Sequence, residues 1–364
     1  MPWWVHDAMR SLANFYAGPG KLPERVLSRL QNELRDYRGS GMSVMEINHR
    51  APPVLDLIER VTQKIKGLLE LDEQDEVLLL QGGGSLQFIM APLNFSAAGD
   101  PVDYVDTGYW AQKAIQAAQE LGRDVSVVAQ SHIAIPEQVV CRTQAKFLHL
   151  CTNNTVMGTQ WHSVPEISVP IVADASSDFL SRPFDYKVFG ACYAHAQKTV
   201  GTAGITIVVI RKDMLAQMQP VVPQFLGYRA HIDARSNYHT PPVFAIHVVE
   251  CMLDWLIDDI GGLEAMGTIN ATKAALLYEH LDQSECFNAP VAVPSRSQMN
   301  VVFELNDPAR QDHFLASAER AGILGLAAHR SRGGLRASLY NAVTLEEVEQ
   351  LVDFLRSYEG GRLY

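Results

Sequence analysis

Short apolar runs alternate with amphipathic stretches over much of the first two thirds of the chain. Seven of these runs have the length and the apolar character of buried β-strands, and helical patterns or turn residues separate them. The predicted strands cover residues 76–81, 102–106, 125–129, 147–152, 171–175, 192–196 and 205–211. This alternation predicts an α/β fold in which helices cover both faces of a mostly parallel seven-stranded sheet.

Apolar residues at helical spacing predict the helices around this sheet. Two helices precede it, a third lies between its second and third strands, and a long one follows its last strand. They cover residues 23–37, 54–71, 109–121 and 242–261. In sheets of this kind ligands bind beyond the carboxyl ends of the strands, so we expect the functional residues there.

The C-terminal part of the chain has a different pattern, which predicts a smaller α+β domain. A helix over residues 263–281 leads into short strands, and Thr344-Leu-Glu-Glu347 forms a capping box that opens the last helix. The short strands are predicted at residues 291–293, 299–304 and 335–340. The sequence therefore predicts an N-terminal segment (1–18), a large domain (19–262) and a small C-terminal domain (263–364).

Composition narrows the class of protein. Of the 364 residues, 47% are hydrophobic and 20% are charged, which is typical of a globular protein long enough for two domains. The net charge of −11 argues against nucleic acid or an anionic membrane as the main partner. The five cysteines lack CxxC spacing, so we expect reduced thiols and no metal site. Asp7 and Arg10 interrupt the apolar run that a signal peptide needs, and we expect a cytoplasmic protein.

The strongest candidate for chemistry is Lys198, in the motif Tyr193-Ala-His-Ala-Gln-Lys198 after a predicted strand. Asp174 lies at the end of the preceding predicted strand. Pyridoxal phosphate (PLP) chemistry needs such a pair, because a lysine amine condenses with the cofactor aldehyde and an acid keeps the pyridine nitrogen protonated. By itself Lys198 is one of 30 lysines and arginines, so the neighbouring motifs decide its interpretation.

Seven motifs carry a family resemblance, and they occur in unbroken order along nearly the whole chain. They cover residues 41–50, 81–88, 172–177, 193–198, 239–242, 297–301 and 329–342. Together they resemble the motifs of the phosphoserine aminotransferase family, which belongs to the class V, fold type I PLP transferases. Each motif alone is a weak signal, and their order makes the resemblance strong.

The resemblance implies that PLP is the cofactor, with Lys198 as its covalent partner and Asp174 at its pyridine nitrogen. Trp110 is expected to stack on the ring, and Thr155 to contact it. The residues expected to bind the cofactor phosphate are Gly84, Ser85, Ser176 and Gln197, together with His239 and Thr240 of a neighbouring chain. The resemblance therefore also implies a homodimer with shared active sites.

Two His-Arg pairs and a further arginine are candidates for binding substrate anions, because such side chains suit carboxylates and phosphates. By resemblance Arg336 binds the α-carboxylate, and His49-Arg50 and His329-Arg330 form the distal anion pocket. The implied reaction converts 3-phosphohydroxypyruvate and L-glutamate to O-phospho-L-serine and 2-oxoglutarate, in serine biosynthesis. The family also acts on a phosphohydroxythreonine precursor in vitamin B6 synthesis.

Several residues depart from the family pattern. His195 replaces a usual glycine, His239 replaces a usual asparagine, and Thr199 and Thr202 also differ from the relatives. Arg332 matches no family residue with an assigned role. None of these departures removes a catalytic group, but they leave the substrate open.

Other functions therefore stay open at the level of the sequence. The main alternative is a class V paralogue that acts on a different small 2-oxo acid, although the distal His-Arg pairs argue against alanine–glyoxylate transamination. A cysteine desulfurase needs a mobile-loop cysteine, and Cys286 lies in no supporting motif. A nucleotide-binding α/β module would explain the glycines at 82–84, whose amides can bind a phosphate, but would leave Lys198 without a role.

Overall fold

Residues 12–164 and 166–361 are described by the structure, which is a computed structural model. Its strands are β1 (Ala13–Asn14), β2 (Glu76–Leu80), β3 (Pro101–Asp106), β4 (Asp124–Gln130), β5 (Leu148–Cys151), β6 (Asn153–Asn154), β7 (Thr159–Gln160), β8 (Ile171–Asp174), β9 (Ala191–His195), β10 (Thr206–Ile210), β11 (Phe287–Asn288), β12 (Asn300–Leu305), β13 (Ile323–Leu324) and β14 (Leu335–Ser338). Its α-helices are α1 (Glu24–Glu33), α2 (Pro52–Leu68), α3 (Gly83–Phe95), α4 (Tyr109–Glu120), α5 (Lys212–Leu215), α6 (Tyr228–Asp233), α7 (Val243–Asp254), α8 (Leu263–Gln283), α9 (Gln311–Arg320) and α10 (Leu345–Glu359).

The seven strands expected in the large sheet are all present, in the order β2-β10-β9-β8-β5-β3-β4. Neighbouring strands are parallel except at β10, which is antiparallel to both β2 and β9. The expected α/β fold with a mostly parallel seven-stranded sheet is therefore confirmed. Because two antiparallel steps restore the original direction, β2 and β9 end at the same edge as β5 and β8.

Side chains of the sheet alternate between two apolar layers, one on each face. In β10, Ile207 and Val209 belong to the core that α2 and α7 complete, whereas Val208 and Ile210 belong to the core that α3 and α4 complete. Both faces are thus covered, which explains why strands such as β2 and β10 are apolar over nearly their whole length. Polar residues can therefore lie in the loops beyond the carboxyl ends of the strands, outside these two apolar layers.

The C-terminal part has its own apolar core. The antiparallel sheet β11-β12-β14 packs with α8, α9 and α10 around residues such as Phe287, Phe303 and Phe314. This separate core supports a division of the chain near residue 262, which stays a prediction. Thr344 and Glu347 form the expected capping box at the start of α10.

The sequence mispredicts three details of the elements. The strand predicted at residues 291–293 is wrong, because Val293–Ser295 forms a 3₁₀ turn that contains Pro294, which cannot donate to a sheet ladder. The helices α5, α6 and α9 were not predicted. The helix predicted over residues 23–37 ends at Glu33, and Arg38 beyond it has a left-handed backbone with φ 53°.

Residues 12–20, which we call the N-terminal strap, run from the C-terminal core to the edge of the large sheet. Strand β1 pairs with β13, and Phe15 is fully buried in the C-terminal core. Farther along, the carbonyl of Ala17 accepts a hydrogen bond from the Tyr340 hydroxyl (2.8 Å), and the Gly20 amide donates to the carbonyl of Gln197 (2.7 Å). Residues 1–11, the start of the expected N-terminal segment, lie outside the described residues.

Two further expectations from composition can be compared with the structure. The five cysteines are free thiols, as expected. Among the described helices, none combines the length and the apolar character that crossing a lipid bilayer requires.

Candidate active site

Lys198 lies in the turn that follows β9, and two neighbours hold its amine. Its Nζ donates a hydrogen bond to Thr155 Oγ1 (2.8 Å) and lies 5.9 Å from the centre of the Trp110 ring. Burial lowers the pKa of Lys198, an effect that the nearby Asp174 carboxylate opposes and the Arg336 guanidinium reinforces. A lowered pKa increases the fraction of neutral amine, which is the nucleophilic and basic form.

Asp174 is the last residue of β8, beside the strand that leads to Lys198. Its side chain is only 8% exposed, and its Oδ1 accepts a hydrogen bond from the backbone amide of Ser176 (3.0 Å). The Thr152 amide donates to the Asp174 carbonyl, which fixes the backbone at this point (2.9 Å). The carboxylate is therefore held rigidly within electrostatic range of the lysine.

The glycine turn between β2 and α3 lies against the same strand ends. Gly83 has a φ of 66°, and a Cβ there would lie 3.1 Å from the imidazole of His195. A Cβ at Gly84 would lie 3.4 Å from Ser176 Oγ, which accepts a hydrogen bond from the His195 amide (3.1 Å). The first amides of a helix lack acceptors within the helix, so Gly84 and the exposed Ser85 can present them to an anion.

Gln197 was expected to bind the cofactor phosphate, and its side chain packs on the N-terminal strap. A Cβ at Gly18 would lie 3.2 Å from Gln197 Nε2. A Cβ at Gly20 would lie 2.8 Å from the carbonyl oxygen of Lys198, so only glycine allows the strap to approach this closely. The strap thus forms one wall beside the lysine.

Arg336, from β14, approaches Lys198 from the C-terminal part. Its side chain is buried, and its Nη1 donates to the carbonyl of Thr155 (3.1 Å). Its Nε is buried without a hydrogen-bond partner within the described residues, and burial lowers the pKa of the guanidinium. A buried donor without a partner costs free energy, so this site favours an anionic ligand.

His329 lies at the opening of the same site. Its ring is 4.6 Å from that of Tyr109, which in turn contacts Trp110, and its Nδ1 lies 2.7 Å from Ser331 Oγ. Burial lowers the pKa of His329, and Arg336 lowers it further. Arg330 is exposed beside it.

Arg332, which had no expected role, forms an ion pair with Glu304 (2.8 Å) within the C-terminal part.

The remaining expected site residues make their contacts with other parts of the chain. The carbonyl of His49 accepts a hydrogen bond from Asn237 Nδ2 (2.9 Å), and Arg50 is exposed.

The segment of His239 and Thr240 has contacts of its own. Thr240 is exposed, and its carbonyl accepts a hydrogen bond from Gln81 Nε2 (2.8 Å). The ring of His239 packs 4.7 Å from that of Phe225, and both of its nitrogens are buried without a partner among the described residues. Within one chain, these residues make no hydrogen bond or ion pair with Lys198 or Arg336.

A buried polar network beneath the site was missed by the sequence reasoning. Asn153 Nδ2 donates to Ser177 Oγ (2.7 Å) and to Asn300 Oδ1 (2.8 Å), and Ser297 Oγ donates to Asn153 Oδ1. Asn300 in turn donates to Ser338 Oγ (3.0 Å). The network ties the loop that carries Thr155 to the strand that carries Arg336. Its residues are common polar types, and the only signal for them was that Ser177, Ser297, Asn300 and Ser338 lie within three of the seven motifs.

The fold and the site together define a class of protein, which the comparisons identify. The family model "Aminotransferase class-V" matches residues 12–351. The chain is 45% identical to the phosphoserine aminotransferase of Syntrophobacter fumaroxidans, over 96% of this chain and 98% of that one. It is 46% identical to that of Herpetosiphon aurantiacus, over 95% and 98%. The phosphoserine aminotransferase structure from Bacillus circulans subsp. alkalophilus has a TM-score of 0.94 at 40% identity, over 97% of this chain and 100% of that one.

The chain is therefore a class V aminotransferase by family, with the expected fold type I architecture. Within that class it belongs to the phosphoserine aminotransferase family. The resemblance of the seven motifs is thereby confirmed.

Proposed function

We propose that this protein is a PLP-dependent aminotransferase that converts 3-phosphohydroxypyruvate and L-glutamate to O-phospho-L-serine and 2-oxoglutarate. One observation carries the proposal beyond family membership. Thr155 binds both the amine of Lys198 through its hydroxyl and the guanidinium of Arg336 through its carbonyl. A base and a carboxylate-binding group are therefore fixed relative to each other, as an enzyme acting at the α-carbon of an amino acid requires.

The residues around Lys198 fit PLP. The lowered pKa of Lys198, the buried carboxylate of Asp174 and the free amides at the start of α3 each match one part of that molecule. When bound, PLP supplies an aldehyde that carries the amino group and a ring that accepts the electron pair of the α-carbon. We assign the phosphate to Gly84, Ser85, Ser176 and Gln197, and the ring face to Trp110.

Each remaining group of the chain has a task in this proposal. Lys198 Nζ would remove the proton from the substrate α-carbon and deliver it to the PLP carbon that holds the amino group, while Thr155 Oγ1 orients the amine. Asp174 holds the proton on the pyridine nitrogen. Arg336 binds the α-carboxylate, with its unpaired Nε as one of two donors for a bidentate contact. His329 and Arg330 bind the distal phosphate or carboxylate.

We also propose that the protein is a cytoplasmic homodimer with shared active sites. Within one chain, as far as the structure describes it, His49, Arg50, His239 and Thr240 make no hydrogen bond or ion pair with Lys198. This supports an arrangement in which a second copy supplies them. The segment before His239 exposes apolar side chains that a partner would cover, with Val222 90% exposed and Phe225 45% exposed.

A substrate panel tests the proposed reaction. The purified protein with PLP is expected to transfer the amino group from glutamate to 3-phosphohydroxypyruvate much faster than to plain 2-oxo acids. Lys198→Ala should reduce the rate by at least about 100-fold, since it removes the general base, whereas Lys212→Ala changes an exposed lysine and should have no effect. Borohydride reduction followed by mass spectrometry should find the pyridoxyl group on Lys198.

Two outcomes would contradict this proposal. A pyridoxyl group on Lys187 or Lys212 would show that the site is misassigned. A preference for glyoxylate or another small unphosphorylated 2-oxo acid would favour the class V paralogue instead.

A further inference from the structure

The His195 side chain fills the space between the end of β9 and the glycine turn that follows β2. His195 is the last residue of β9 and pairs with Thr206 of β10, which pairs in turn with Leu80 of β2. The strand ends of β9 and β2 are therefore separated by one intervening strand, or roughly 9–10 Å at the usual strand spacing. The imidazole bridges this distance, because a Cβ on Gly83 would lie 3.1–3.4 Å from its Cε1, Nδ1 and Nε2 atoms.

The surroundings of His195 are those to which we assign the cofactor phosphate. Its backbone amide donates to Ser176 Oγ (3.1 Å), and that oxygen lies next to Gly84. The side chain is only partly exposed, and its ring nitrogens make no hydrogen bond within residues 12–164 and 166–361. The ring is thus placed beside the start of α3 with its donor free.

The charge state of His195 is compatible with a role as a neutral donor. Burial and, to a smaller extent, the nearby Lys198 together lower its pKa to about 4. Near neutral pH the ring therefore carries one N–H donor and one acceptor nitrogen. A packing role alone would not require a polar ring here, since an apolar side chain of similar size would fill the gap without an unpaired donor.

We propose that the His195 imidazole donates a hydrogen bond to the phosphoryl group of PLP, as a ligand from the same chain in addition to Gly84, Ser85 and Ser176. This inference rests on the proposed function, because it requires PLP in the site. It assigns a binding role to a residue at which this chain differs from the usual glycine of the family.

The affinity of the apoprotein for PLP tests the proposal without any assay of turnover. PLP and pyridoxal, which lacks the phosphate, are titrated separately and followed by their absorbance. His195→Gly should weaken PLP binding by about 10- to 100-fold, as expected for the loss of one hydrogen bond to a charged group. The same variant should bind pyridoxal as the wild type does. His195→Gln keeps a donor and should retain most of the PLP affinity.

The control and the contrary outcomes separate this inference from the proposed function. His162→Gly removes an exposed imidazole that contacts the carbonyl of Arg296, and it should change neither affinity. Unchanged PLP binding in His195→Gly, or an equal loss for PLP and pyridoxal, would overturn the inference while leaving the proposed function intact. A wild-type protein that binds no PLP would overturn both.

Discussion

At the scale of single residues, Thr155 positions two charged groups of this site, the Lys198 amine and the Arg336 guanidinium. The sequence predicted a contact between Thr155 and the cofactor. In the structure, its hydroxyl also holds Lys198 and its carbonyl also holds Arg336. An α-carboxylate bound at Arg336 would thus lie at a fixed distance from the amine, whereas His329 lies farther out, beside Tyr109. With the roles proposed for Arg336 and His329, the site would have an inner and an outer position for anions.

This arrangement predicts a selective effect at His329. His329→Ala should lower kcat/KM for phosphoserine by about 10- to 150-fold, because one contact to a charged group is worth roughly 1.5–3 kcal/mol. It should leave alanine, which has no distal anion, nearly unchanged, however slowly alanine reacts. Steady-state kinetics with both substrates measure the ratio.

Arg332→Ala is the matched control for this prediction. It changes a neighbouring cation that pairs with Glu304, and it should affect neither substrate. Equal losses for phosphoserine and alanine in His329→Ala would show that the residue has no part in a distal pocket.

The sequence is enough to single out most residues of the candidate site, but it does not give their contacts. Lys198, Asp174 and Arg336 belong to motifs whose residue types match a known chemistry. The contact between His195 and Gly83 depends on β10 lying between β9 and β2, and strand order cannot be derived from local apolar patterns. The same limit explains why Asn153 and Ser297 were missed as partners.

At the scale of elements, hydrogen bonds from Lys273 connect the helix α8 to the turn that follows β14. This lysine is fully buried, and its Nζ donates to the carbonyls of Leu339 (3.1 Å), Tyr340 (3.0 Å) and Val343 (2.8 Å). On the other side of this turn, Asn341 Nδ2 donates to the carbonyl of Leu180 (2.9 Å), in the loop that follows β8. The turn that follows Arg336 is therefore held from both directions.

The burial of Lys273 predicts a pH dependence of stability. Burial lowers its pKa to about 7, although the Glu347 carboxylate opposes this shift. The unfolded chain, with an ordinary lysine pKa of about 10.4, binds more protons than the folded one between these values, so this group makes stability rise with pH. The rise should be roughly 2 kcal/mol between pH 7 and pH 9. In Lys273→Met this contribution should be absent.

Urea unfolding at the two pH values measures this effect as the difference between variant and wild type. Lys212→Met, which removes an exposed lysine, should keep the rise of the wild type. The same rise in Lys273→Met would mean that the buried amine is not its source.

At the scale of the whole molecule, the proposed sharing of sites between two copies has a direct consequence. Lys198→Ala and Thr240→Arg should each be inactive as a pure protein. If Thr240 acts across the interface, a mixed dimer has one site with both native residues. Random exchange then makes half of the dimers mixed, with one working site each, and should restore about a quarter of the wild-type activity.

A second pair of variants is the control for this complementation. Lys198→Ala and Asp174→Asn both affect the site within one chain, so their mixture should regain no activity. Exchange of subunits is verified by native mass spectrometry. Equal recovery in the two mixtures, or a fully active monomer, would refute the shared site.

The N-terminal strap is made first during synthesis, but it forms its contacts beside the site only after the C-terminal residues have been made. Ala17 and its hydrogen-bond partner Tyr340 are 323 positions apart in the sequence. During translation the turn around Lys198 can therefore form long before the strap finds the strands and the hydroxyl that hold it in place, since such distant contacts close last. A nascent chain with a folded large sheet still lacks one wall beside its lysine. The reactive amine acquires its full surroundings only when almost the whole polypeptide has been made.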